Sequence, residues 1–115
     1  MATELVVGVG YASFLFRHAQ SLKDKRQVLK SLSQKLRNLG FSVTECGHAD
    51  EIKRGELGFV YAGHDVRHVD EQMSSAMNLF VGDYHVVSSR KNVLRYDELV
   101  QEDEFQSFEQ ELEEK

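Results

Sequence analysis

Two spacings of apolar residues alternate along this chain, and they divide it into six elements. Residues 4–16 carry β-branched and aromatic side chains, apolar on both faces through Tyr11, which predicts a long strand. Ser21 and Asp24 stand in a Ser-x-x-Asp capping box that starts a helix. Val28, Leu29, Leu32, Leu36 and Leu39 share one stripe of that helix, and Gly40 stops it. Phe41 to His48 reads as a second strand, followed by a polar connection from Ala49 to Gly55. Between Glu56 and Gly63, Leu57, Phe59 and Tyr61 alternate with Gly58, Val60 and Ala62, the pattern of a third strand. Asp65 caps a second helix with Val66, Val69, Met73, Met77 and Phe80 at helical spacing, ended by Gly82. Tyr84 to Tyr96 predicts a fourth strand, interrupted around Arg90 to Asn92.

The order strand, helix, strand, strand, helix, strand favours a ferredoxin-like βαββαβ arrangement. That is an α+β fold with a four-stranded antiparallel sheet and both helices on one face. The right-handed crossover rule leaves few other topologies. Residues 1–96 make one domain on this reading. Residues 97–115 form an acidic tail, either disordered or an amphipathic helix with Phe105, Phe108 and Leu112 on one side.

Composition narrows the class. At 115 residues the chain is long enough for a single modest core. One cysteine, Cys46, excludes an internal disulfide framework and suits a reducing cytosol. The longest apolar run, Leu5 to Phe16, is too short to span a bilayer and has no basic segment before it, so a cytoplasmic protein without a membrane partner is expected. The net charge of −5 is unevenly divided: nine acids and one Lys follow residue 96, whereas the body holds ten acids and thirteen Lys or Arg.

That basic excess is concentrated at the start of the first helix. Ser21-Leu22-Lys23-Asp24-Lys25-Arg26 puts three cations where the helix dipole disfavours them, each at a cost of roughly 0.3–1 kcal/mol. From Leu22 to Leu39 a single acid, Asp24, opposes six cations. Lys23, Arg26, Lys30 and Arg37 fall within about a 60° arc away from the leucine stripe, the footprint of a phosphate-backbone binder. Charged exposed helix faces also serve solubility alone. The topology brings Arg17, His18, His48, Lys53 and Arg54 to the same end of the sheet. Lys25 points towards the leucine stripe, where it can pair with Asp50 or Glu51 or help bind a ligand.

Other constellations are weaker. Cys46 with His48, and His64 with His68, are pairs that the fold keeps at opposite ends of the sheet, so no metal or cofactor is expected. Cys46 lacks an evident base and orienting group, and no Gly-rich phosphate loop precedes a helix, so no catalytic residue is assigned. Leu57-Gly58-Phe59-Val60-Tyr61 is near the third-strand signature of RNA-recognition motifs, without its flanking Lys/Arg-Gly and final aromatic. Tyr11, Leu57, Phe59 and Tyr61 are instead expected to fill a sheet face covered by a second subunit.

Ser21-Leu22-Lys23-Asp24-Lys25-Arg26, then Gly47-His48-x-Asp50, then Arg54-x-Glu56-Leu57-Gly58, resemble the YlxP-like family of small bacterial proteins over roughly residues 5–82. The resemblance implies a ferredoxin-like fold, a homodimer, a bacterial cytosolic source and no established activity. Its genes lie among translation and ribosome-maturation genes, an association with RNA. Ile52 stands where that family tends to carry an aromatic and Gly55 where Ala is usual, and the acidic tail is an addition.

The expectation is therefore a non-enzymatic protein that binds structured RNA or the ribosome. Its phosphate contacts would be Lys23, Lys25, Arg26, Lys30, Arg37, Lys53 and Arg54. The rival expectation is a dimeric regulatory or scaffolding module that works through the sheet face without nucleic acid.

Overall fold

The strand Val6–Leu15 (β1) is hydrogen-bonded along both of its edges, and its residues alternate between a buried face and a more exposed one. In the computed structural model, which describes residues 4–81 and 85–99, it lies inside a four-stranded sheet of order β2-β3-β1-β4. The other strands are β2 (Ser42–Gly47), β3 (Arg54–Gly63) and β4 (His85–Arg95), and every neighbouring pair is antiparallel. The helices α1 (Leu22–Asn38) and α2 (Val66–Asn78) pack on one face. This is the α+β, ferredoxin-like arrangement expected from the element order. No helix among the described residues is long and apolar enough to cross a membrane.

Local chemistry sets the boundaries of α1. Ser21 Oγ accepts the Asp24 N–H at 3.1 Å, and the Asp24 carboxylate accepts the Gln20 N–H at 3.0 Å, one residue earlier than in a standard capping box. At the other end Gly40 adopts φ 96°. That turn lets the Gly40 N–H reach Arg37 and the Phe41 N–H reach Leu36, a Schellman closure at 2.9 and 3.1 Å.

The core lies between the helices and one sheet face. Leu29, Leu32 and Leu36 of α1 and Val69, Met73 and Ala76 of α2 bury against Ala12, Phe14, Leu57 and Phe59. Phe80 sets its ring edge-on to Phe14 and Phe59 at 5.1 and 5.7 Å. Gly10 stands opposite Phe59 in the β1–β3 register. A methyl group on Gly10 would collide with the Phe59 ring, so the absent side chain is what admits the phenyl.

Several details differ from the sequence expectation, among them β3, which begins at Arg54, two residues before the expected start. β4 is continuous through Arg90 to Asn92, and its irregularity comes earlier, where the register shift opposite Ser13 and Phe14 leaves Val87 without a partner. α2 ends at Asn78, before the residue expected to stop it, because tighter turns close it: the Leu79 and Phe80 N–H groups reach Ala76 and Met77. β2 stops at Gly47, since His48 turns to φ 59° and leaves the strand. Of the acidic tail, only a short helical turn, α3 (Tyr96–Leu99), is described, tied down by the Tyr96 N–H on the Leu5 carbonyl at 2.8 Å. The remainder of the predicted tail, with Phe105, Phe108 and Leu112, lies outside the described residues.

Candidate anion-binding site

Antiparallel register brings the end of β1, the start of α1 and the β2–β3 hairpin together. Leu15 pairs with Arg54, and the Phe16 N–H meets the Lys53 carbonyl at 2.7 Å. The seven cations predicted to bind phosphate meet different fates here.

Lys25 is 1% exposed. Its ammonium donates to the backbone carbonyls of His48 at 2.6 Å, Glu51 at 2.5 Å and Arg54 at 3.1 Å. The expected pairing with an Asp50 or Glu51 carboxylate is replaced by a cage of main-chain oxygens. A fourth carbonyl, that of Ala49, stands at 3.4 Å, so the ammonium's three donors are shared among four main-chain acceptors, which satisfies the buried charge and the turn together. Lys25 is therefore a structural pin of the hairpin and not a phosphate contact. Lys53, exposed like the helix cations, also serves the hairpin. Its ammonium donates to the carbonyls of Arg17 at 2.8 Å and Ala19 at 3.2 Å, tying the hairpin to the β1–α1 connection.

Arg54 keeps its side chain exposed, with Nε 4.0 Å from Glu51. Lys23, Arg26, Lys30 and Arg37 are all exposed on α1, and none makes an ion pair with a carboxylate among the described residues. From Lys23 to Arg37 the row extends about 21 Å along the helix axis. Arg26, Lys30 and Arg37 form one wall of a groove of 240 Å³ whose other wall is Val43, Thr44 and Glu45 of β2. Its floor holds Leu29, Ser33 and Leu57. β2 is an edge strand, paired with β3 alone.

A second polar cluster lies on the hairpin. His48 directs Nδ1 to Glu51 at 2.9 Å and Nε2 to Glu56 at 3.1 Å, so both ring nitrogens face carboxylates. The hydrogen bond to Glu51 raises the His48 pKa above its ordinary 6.5 against the opposing effect of burial, and the charges of Glu51 and Glu56 add to the rise. The same hydrogen bond lowers the Glu51 pKa from 4.5, again against burial. Glu56 also raises the Tyr11 pKa, chiefly by hydrogen bonding to its phenol. With both nitrogens engaged, His48 is not placed to act as a base for the exposed Cys46, whose thiol lies near the Thr44 carbonyl at 3.7 Å. No three His, Cys, Asp or Glu side chains gather as a metal site among the described residues.

The predicted partner face needs the largest correction. Leu57 and Phe59 are each 1% exposed, beneath the helices. Tyr61 is half-buried on the same side, its ring 5.2 Å from Phe41 and its hydroxyl 2.8 Å from His68 Nε2. The physical reason is pairing by size: Leu57, Phe59 and Tyr61 stand opposite Ala12, Gly10 and Gly8, whose small side chains leave room under the helices. No aromatic of β3 is thus available on the open face to stack on a base. Of the four predicted residues Tyr11 alone faces the open side, opposite Gly58 and Arg90. Its companions there are Val7, Val9, Val60, Ala62 and Leu94, which sequence reasoning missed.

Among solved structures, the protein SO0527 from Shewanella oneidensis is similar at 20% identity, covering 81% of this chain and 91% of that one, with a TM-score of 0.45. A dimeric ferredoxin-like protein from an uncultured marine organism is similar at 11% identity, covering 78% and 92%, with a TM-score of 0.39. No curated protein matches. Residues 7–90, most of the chain and all of the site, match the family described as protein of unknown function DUF503. The chain belongs to the DUF503 family.

Proposed function

We propose that this protein binds structured RNA, with the ribosome as its setting in a bacterial cytosol, and that it works by binding and not by catalysis. The observation that carries the reading is the row Lys23, Arg26, Lys30 and Arg37: four exposed cations on one side of α1, unpaired among the described residues. The cations that serve the fold, Lys25 and Lys53, are separate from it. Such a row contacts phosphates and sets position on the duplex without reading bases. Arg54 extends it towards the hairpin. The YlxP-like reading of the hexapeptide belongs with this proposal, since the translation setting comes from that resemblance.

The test is fluorescence anisotropy with a labelled ribosomal RNA fragment at 50 and 200 mM salt. The wild-type affinity should fall steeply between the two, and Arg26→Glu with Lys30→Glu should abolish binding. An affinity indifferent to salt and to both substitutions ends the proposal.

A further inference from the structure

The groove between α1 and β2 combines two chemistries. Arg26, Lys30 and Arg37 line its helix wall, and none of the three meets a carboxylate among the described residues. Its floor is apolar at Leu29 and Leu57, and Val43 on the opposite wall adds to it. Glu45 also stands on that opposite wall, so negative charge is favoured on the helix side alone. The occupant that fits is a slim chain with acids along one side and bulky apolar groups along the other.

This protein carries such a segment itself. Residues 100–115, which lie outside the described residues, hold seven acids and one Lys. Within them runs Phe108-Glu109-Gln110-Glu111-Leu112-Glu113. In an extended chain Glu109, Glu111 and Glu113 share one side, and Phe108 and Leu112 the other. Those acids recur about every 6.8 Å, against about 6 Å between Arg26 and Lys30 along the helix axis. The connection is long enough. Tyr96 is tied to Leu5, whereas Val43 in the groove is level with Phe59 and Gly10 in the observed registers. Five residues along β1 and three strand spacings across the sheet make a diagonal of about 22 Å. Residues 100–107, extended, cover about 27 Å.

We propose that residues 108–113 of the chain's own acidic tail dock in this groove, with Glu109, Glu111 and Glu113 against the cations of α1 and with Phe108 and Leu112 on the apolar floor. Tethering supplies an effective concentration on the order of mM, so a contact too weak to hold a free peptide fills the groove. The docked segment covers three of the four cations that carry the RNA reading. Resting on that reading, the tail and RNA exclude each other, and the tail sets how much of the protein is open to RNA.

Two triple substitutions of equal charge, made in the full chain, test this. Glu109→Gln with Glu111→Gln and Glu113→Gln should move the amide signals of Ser33, Val43 and Thr44 in nitrogen–proton correlation spectra at low salt. Glu102→Gln with Asp103→Asn and Glu104→Gln, in the connection, should leave those signals in place. Phe108→Ala with Leu112→Ala keeps the net charge and should move the same signals as the first triple. With the labelled ribosomal RNA fragment, the first triple and the apolar pair should each raise affinity about fivefold or more, and the connecting triple by much less. Groove signals that ignore the first triple and the apolar pair, or that respond equally to both triples, overturn the proposal. Signals that respond as expected while no variant binds the RNA support the docking and remove the RNA reading instead.

Discussion

The Lys25 ammonium donates to the His48 carbonyl oxygen at 2.6 Å across twenty-three residues of sequence. This contact joins the first turn of α1 to the β2–β3 hairpin. It also shows that one basic sequence block contains cations of two kinds. Lys25 holds the end of the sheet together, whereas Lys23 and Arg26, two and one residues away, face solvent.

Lys25→Met keeps the apolar stem and removes the three donors. The carbonyls of His48, Glu51 and Arg54 would then lose their partner, and the fold should lose about 2–4 kcal/mol. Urea denaturation checks this through a lower midpoint with an unchanged slope. A midpoint equal to the wild type would mean that the carbonyls find other donors without cost.

Stability should depend on pH through His48 and Glu51. The His48 pKa is raised above 6.5, so its contribution is complete below that value and fades as pH rises through the folded pKa. The Glu51 pKa is lowered below 4.5, so its contribution is present above that value and fades as pH falls through the folded pKa. Together they favour the fold most between pH 4.5 and 6.5. His48→Gln should flatten the decline that sets in above pH 6.5, read from thermal melts carried from that pH into the alkaline range.

The two kinds of cation should separate in RNA binding. Lys53→Gln removes the tie to the Arg17 and Ala19 carbonyls and should lower the melting temperature while leaving the salt slope of binding unchanged. Lys30→Gln should do the reverse, reducing the slope by about 1 with no change in melting. Equal effects of the two variants on the slope would remove the distinction between them.

Gly10→Ala should destabilise the protein by about 1–3 kcal/mol, because the new methyl group collides with the buried Phe59 ring. Pairing it with Phe59→Leu should recover part of the loss, measured as a double-mutant cycle.

Much of the architecture was legible because capping and periodicity are local. Ser21, Asp24, Gly40 and Asp65 mark helix ends through bonds within a few residues, and the order of the elements then selects the topology. What remained hidden depends on contacts between distant segments. In β3 both alternating sets are apolar, so alternation alone does not say which set lies beneath the helices. The deciding signal is the pairing of Leu57, Phe59 and Tyr61 with Ala12, Gly10 and Gly8, which requires the register. The candidate site divides in the same way. Helical angle placed Lys23, Arg26, Lys30 and Arg37 on one exposed side, whereas the carbonyl partners of Lys25 and Lys53 come from other elements.

The Lys25 cage resembles the inner coordination shell of a potassium ion, built wholly from main-chain oxygen. Every amino acid supplies such an oxygen, so the hairpin's side chains can change while its shape is retained. Asp50, Ile52 and Arg54 are thereby released from holding the turn and left open to selection for whatever the protein meets. The lysine lacks that latitude, since no other side chain combines its reach with three donors at one atom. A family built on this device would preserve the lysine as its architecture and diversify the loop around it.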